Sequence, residues 1–184
     1  ACNHDNITFI DIGTGSSAIL TATIKNTKAH LAWAFWLDIS LDALEVAKIN
    51  IEKHSLQNQV TLTQSDLLEV FINGRYSFPS KNIVITANLP YIKNGDFENM
   101  DQEVLDNEPH IALFGWEETG FEMYEKLIKQ IIELKKIHSL EVTLFIEIGF
   151  DQYEYSKQYV KNLSLSHQFF KDLNGIQRII KISI

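Results

Sequence analysis

Asn88-Leu89-Pro90-Tyr91 follows directly on the short apolar run Asn82-Ile83-Val84-Ile85-Thr86-Ala87, a pattern that predicts a buried parallel strand ending in a turn. In open α/β sheets ligands lie just beyond the carboxyl ends of the strands, so Asn88 is expected where a ligand is handled. Pro90 has no backbone donor and biases Leu89 towards an extended conformation, which gives the turn its stiffness. Such a turn can aim the Asn88 amide oxygen and the Leu89 carbonyl at one point. Together they form a pair of acceptors suited to a planar NH2 group, and the Tyr91 ring offers a flat apolar wall for it. The chemistry this suits is transfer to an amide or amine nitrogen. Four residues alone also make an ordinary strand-ending turn, so the rest of the chain has to decide.

A second constellation lies earlier. The loop Asp11-Ile12-Gly13-Thr14-Gly15-Ser16-Ser17 follows an apolar run and opens a helical stretch. Gly13 and Gly15 allow backbone conformations closed to other residues and let a ligand approach the main chain. Asp38, at the end of the second apolar run, stands where a carboxylate would accept hydrogen bonds from both hydroxyls of a ribose. That placement serves a dinucleotide and an adenosyl sulfonium equally well. Three features favour the sulfonium. The Asp11 carboxylate suits an ammonium group and would repel a pyrophosphate. Asp66, after the third strand, is placed to accept from an adenine amino group, with the Leu67 N–H aimed at the ring. No hydride-accepting constellation is visible. Asp66 is also a natural turn residue, which is its ordinary structural role.

These residues need a frame, and the chain supplies one. Ile7 to Ile12, Leu31 to Leu37, Val60 to Gln64, Asn82 to Ala87 and Glu141 to Ile148 are expected as strands, with two more at Ser166 to Asp172 and Gln177 to Ile184. Helices are expected over Ser16 to Lys25, after Ser40 with Leu44, Ala47 and Ile51 inward, along the face Phe121, Tyr124, Leu127, Ile128, Ile131 and Ile132, and over Tyr153 to Leu163. The alternation predicts one α/β domain with a doubly wound, mostly parallel sheet. The 184 residues, 45% of them hydrophobic, suffice for one sizeable core. A formal charge of -8 argues against a broad phosphate-gripping surface, so nucleic acid is disfavoured as a partner. Cys2 is the single cysteine and the six histidines lack ligand spacing, so no metal site is expected. No bilayer-spanning run or signal peptide is visible, which predicts a cytoplasmic protein without membrane contact.

In order along the chain, these motifs resemble the catalytic domain of the HemK family, the protein-glutamine methyltransferases that modify peptide chain release factors. The likeness runs from Phe9 to Ile180. It passes through Asp11-Ile12-Gly13-Thr14-Gly15-Ser16, Asp38-Ile39-Ser40 with Asp42-Ala43-Leu44, Ser65-Asp66-Leu67-Leu68, and Asn88-Leu89-Pro90-Tyr91-Ile92. It continues with Glu108-Pro109, Ala112-Leu113, Glu147-Ile148-Gly149 with Asp151-Gln152, and Asp172-Leu173-Asn174-Gly175 with Arg178. The resemblance implies a Rossmann-like class I S-adenosylmethionine-dependent methyltransferase fold, with seven strands and an antiparallel C-terminal edge hairpin. It further implies S-adenosylmethionine as cofactor, held by Asp11, Gly13, Thr14, Gly15, Asp38, Ile39, Asp66, Leu67 and Asn88. Asn88, Leu89, Pro90 and Tyr91 would act on a glutamine amide in the Gly-Gly-Gln loop of a release factor, the implied partner. Glu108 and Glu147 would order loops or influence the loss of a proton after transfer.

The chain departs from the family pattern in places. Members usually carry Asn-Pro-Pro-Tyr, and Leu89 stands in the first proline's place. Ser17 replaces a third glycine, Trp116 replaces the second glycine of a Gly-Gly pair, and the stretch from Gly115 to Gly120 is one residue longer. Family proteins have a helical docking domain before the first strand, whereas here a strand is expected almost from Ala1, which predicts a single domain without it. Two other readings stay open at this level. One is methylation of an adenine amino group in RNA or DNA, whose enzymes carry a similar Asn-Leu-Pro-Tyr. The other is a cofactor-binding module without turnover.

Overall fold

Alternation of two sets of side chains along the strands builds this fold, because successive residues of a strand face opposite sides of the sheet. In the strand Leu31–Asp38, Phe35 and Leu37 join one apolar cluster while Ala34 and Trp36 join another. The computed structural model describes residues 6–26, 31–91 and 119–184. Its strands are β1 (Ile7–Ile12), β2 (Leu31–Asp38), β3 (Val60–Gln64), β4 (Asn82–Ala87), β5 (Glu141–Glu147), β6 (Ser166–Lys171) and β7 (Gln177–Ser183). The helices are α1 (Ala18–Asn26), α2 (Leu41–Lys53), α3 (Glu69–Ile72), α4 (Glu122–His138) and α5 (Tyr153–Asn162).

The strands form one seven-stranded sheet in the order β3-β2-β1-β4-β5-β7-β6. β1 to β5 run parallel, and β7 is antiparallel to both β5 and β6. The doubly wound sheet with an antiparallel edge hairpin is therefore present as expected. Each face of the sheet is covered. Leu20 of α1 and Ala47 and Ile51 of α2 pack with Ala34, Trp36, Leu56 and Val60. On the other side Leu127, Ile128 and Ile131 of α4, each at most 1% exposed, pack with residues of α3, α5 and the central strands. Full burial of one such side chain contributes about 2 kcal/mol. The order of connections reverses at β1, which pairs with β2 on one side and β4 on the other, and crevices for ligands open above such a reversal.

Local chemistry explains the element ends. Ser40 caps α2 by accepting the Ala43 N–H at 3.3 Å, with Asp42 in the first turn where the helix dipole favours an anion. α4 stops at Ser139, which is left-handed and returns its N–H to the Lys135 carbonyl. Two differences from the sequence expectation have clear causes. α1 starts at Ala18, not Ser16, because Ser17 takes a φ of 62° and donates its N–H to the Thr14 carbonyl, which spends those residues on a turn. α3 is only four residues long, too short to leave a periodic pattern. No helix among the described residues is long and apolar enough to cross a membrane.

Candidate functional site

Hydrogen bonds stitch together the loops above β1, β2 and β3. The N–H groups of Gly13 and Thr14 both point at the Leu37 carbonyl, at 2.8 and 3.1 Å, and Gly13 has a φ of +67°. Asp38, 8% exposed, takes the Gly15 N–H on one carboxylate oxygen and the Ser40 N–H on the other, each at 2.9 Å. A carboxylate offers about four lone-pair sites, so roughly two remain for hydroxyl donors. A Cβ built on Gly15 would meet nothing within 4 Å, so the loop has open space beside its main chain. Ile39, the other residue expected there, is half exposed at the start of the turn into α2. This donor and acceptor set fits the ribose and main-chain contacts of an adenosyl group.

Asp11 is buried at 2% exposure and accepts from two hydroxyls, Thr14 Oγ1 at 2.8 Å and Thr86 Oγ1 at 2.5 Å. Burial nevertheless outweighs those bonds and, with a smaller push from the Asp38 charge, drives its pKa up to about 6. A cation beside it would bring back the charged form, which fits an ammonium group. Asp66 sits less deep. Lys126 Nζ donates to its Oδ2 at 2.6 Å, and both side chains are about half exposed. Exposed pairs of this kind are weak and easily rearranged, so the carboxylate stays available to an amino group. Leu67 takes a φ of 51° and its N–H meets no acceptor among the described residues.

The turn after β4 lies against the glycine loop. Leu89 is 3% exposed, and its Cδ2 would stand 2.9 Å from a Cβ on Gly13, so only a glycine at 13 admits that side chain unmoved. Asn88 is exposed at the end of the strand, with its own carbonyl near Gly13. Tyr124 of α4 reaches under the turn: its hydroxyl accepts the Leu89 N–H at 2.9 Å and donates to the Glu147 carbonyl at 2.5 Å. Arg178 donates to the Tyr91 hydroxyl at 3.1 Å and to Glu147 Oε1 at 2.9 Å, and its guanidinium lies 5.5 Å from the Tyr91 ring centre. The buried Gln152 side chain donates to the carbonyls of Tyr91 and Thr119 and accepts the Gly149 N–H. Gly120, at φ +70°, packs so closely on the Tyr91 carbonyl that any Cβ would overlap it.

The structure thus brings Asp11, Gly13, Gly15, Asp38 and the Asn88–Tyr91 turn to one edge of the sheet, with Asp66 and Leu67 next along it. Glu147, for which loop ordering or an influence on proton loss is expected, is engaged by Arg178 across β5 and β7. Ile92, Glu108, Pro109, Ala112, Leu113, Gly115 and Trp116 lie outside the described residues. Sequence reasoning missed what Tyr124, Gln152 and Gly120 do. Tyr124 reads as one more apolar position on a helix face, although a buried tyrosine hydroxyl has to find partners, and that was the available signal.

Comparison with known proteins fits this geometry. The chain is 34% identical to the release factor glutamine methyltransferase of Staphylococcus aureus, over 96% of this chain and 60% of that protein. It is 32% identical to a bifunctional methyltransferase of Rickettsia typhi, over 98% of this chain and 32% of that protein. The chain therefore spans less than two thirds of the length of the first relative and about a third of the second. Among solved structures, the human methyltransferase 10 domain containing protein superposes with a TM-score of 0.66 at 16% identity, covering 96% of this chain and 71% of that one, which shows a shared fold. No family model matches the sequence.

Proposed function

We propose, from the premise that this chain belongs to the HemK family, that it methylates the side-chain amide nitrogen of a glutamine in a peptide chain release factor. The observation that carries this reading is the Asn88–Tyr91 turn, fixed at the end of β4 directly beside the Gly13 loop of β1. Acceptors for an amide and contacts for an adenosyl group then share one crevice.

S-adenosylmethionine, when bound, supplies a methyl group on a positively charged sulfur. The Gly13 to Gly15 main chain and the free lone pairs of Asp38 would hold its nucleoside, Asp66 and the Leu67 N–H its base, and Asp11 its ammonium. On the acceptor side the amide nitrogen of a glutamine is a poor nucleophile, because its lone pair is delocalised into the carbonyl. The Asn88 side-chain oxygen and the Leu89 carbonyl would accept both amide hydrogens, which orients the nitrogen and directs electron density towards the methyl. The Tyr91 ring, tethered by Arg178, would cover the amide plane. No strong base is required before transfer, and the cationic product can release its proton to water.

The experiment is mass spectrometry of a release factor after incubation with this chain and S-adenosylmethionine. One added methyl on the glutamine of the Gly-Gly-Gln loop is expected. Asn88→Ala should lower that transfer by at least about a hundredfold while cofactor affinity stays near the parental value, since the lost contact is made to the acceptor. Methylation of an adenine substrate with the release factor untouched would overturn the reading.

A further inference from the structure

The Asn88–Tyr91 turn lacks the first of the two prolines usual at this place, and Leu89 brings something a proline cannot, a backbone N–H. That N–H is the one Tyr124 accepts. We propose that Tyr124 is a positioning residue for methyl transfer: its hydroxyl locks the turn through the Leu89 N–H and leaves the Leu89 carbonyl free for the acceptor amide. The inference rests on reading the turn as the amide grip.

Counting protons supports it. A tyrosine hydroxyl has one hydrogen to give. The Glu147 carbonyl stands 2.5 Å from it and the Leu89 carbonyl 3.3 Å, so the shorter contact takes the hydrogen. The oxygen then accepts from the Leu89 N–H at 2.9 Å. The hydroxyl then gives its one hydrogen and accepts one, and no other donor among the described residues is bonded to the Leu89 carbonyl. The geometry also ties the turn to the end of β5, whose Glu147 holds Arg178 and through it Tyr91. Tyr124 is fully buried, and burial pushes its hydroxyl well above the usual tyrosine range, so it stays protonated and serves no acid–base step.

A double-mutant cycle tests this, with the parent, Tyr124→Phe, Leu89→Pro and the double variant assayed for turnover on a release factor, and with amide hydrogen exchange followed at Leu89. Tyr124→Phe should lower kcat by about tenfold or more, keep S-adenosylmethionine affinity within about twofold, and speed Leu89 exchange by about tenfold. In the Leu89→Pro background, where the N–H is gone, removing the hydroxyl should change kcat by less than about twofold. Ile131→Val on the same helix removes packing alone and should keep the parental kcat. A parental kcat in Tyr124→Phe overturns the proposal, as does an equal drop in both backgrounds or an equal loss in Ile131→Val. If the parent methylates no glutamine at all, the proposed function falls; Leu89 exchange then judges Tyr124 by itself, and an unchanged rate in Tyr124→Phe overturns its role.

Discussion

Asp11 should make stability depend on pH in a direction opposite to that of most carboxylates. In the folded chain its carboxyl holds a proton up to about pH 6, against an ordinary value of 3.8, because burial disfavours the charge more than Thr86 and Thr14 favour it. Between those two values the native state binds the extra proton and the unfolded state does not. Stability contributed by this group therefore falls as pH rises through the window, by about 3 kcal/mol for a shift of roughly two pH units. Below the ordinary value the penalty is absent, and above about pH 6 it is complete. Other groups titrate over the same range, so the parent has to be compared with Asp11→Asn, which keeps the shape and cannot ionise. In urea unfolding at a series of pH values from 4 to 7, Asp11→Asn should gain on the parent by about 3 kcal/mol in total. Saturating S-adenosylmethionine should shrink that gain by placing an ammonium beside the charged carboxylate. A parent-to-variant difference that stays flat with pH would refute the reasoning.

Two further outcomes follow from the site geometry. Asp38→Ala should weaken S-adenosylmethionine binding by about 1.5–3 kcal/mol in calorimetry, since it removes a charged acceptor and also frees the Gly15 and Ser40 N–H groups that the carboxylate holds in place. Gly120→Ala should destabilise the chain by more than about 3 kcal/mol in denaturant unfolding, because a left-handed backbone costs about 1–2 kcal/mol and the added methyl must displace the Tyr91 carbonyl; an unchanged midpoint would mean that the turn is looser than described.

The strands of this fold are legible because β1, β4 and β5 are short, mostly apolar runs and β3 alternates apolar with polar residues, and Ser40 announces α2 by the chemistry of its cap. The glycine loop is legible too, since Gly13 and Asp38 stand at strand ends where topology puts ligands. Local patterns carry no information about partners distant in sequence. Nothing near Asp66 indicates that Lys126 would reach it, and nothing near Leu89 indicates Tyr124. The helix expected from Ser16 starts two residues late for a related reason: Ser17 in a left-handed turn is a choice made by the loop, against what its side chain prefers.

The supports of the acceptor turn also carry a consequence for how the chain folds. The loops proposed to hold the nucleoside come from the first 67 residues, whereas the turn at 88 to 91 is fixed by partners 35, 61 and 87 residues further along. Contacts of such separation form late, because the loop between them must close before they reward it. During synthesis the loops after β1, β2 and β3 therefore emerge before any of these supports, and Arg178 is the last of the three to leave the ribosome. The proposed grip on an acceptor amide would thus be completed in a late step, with the antiparallel closing of β7 onto β5.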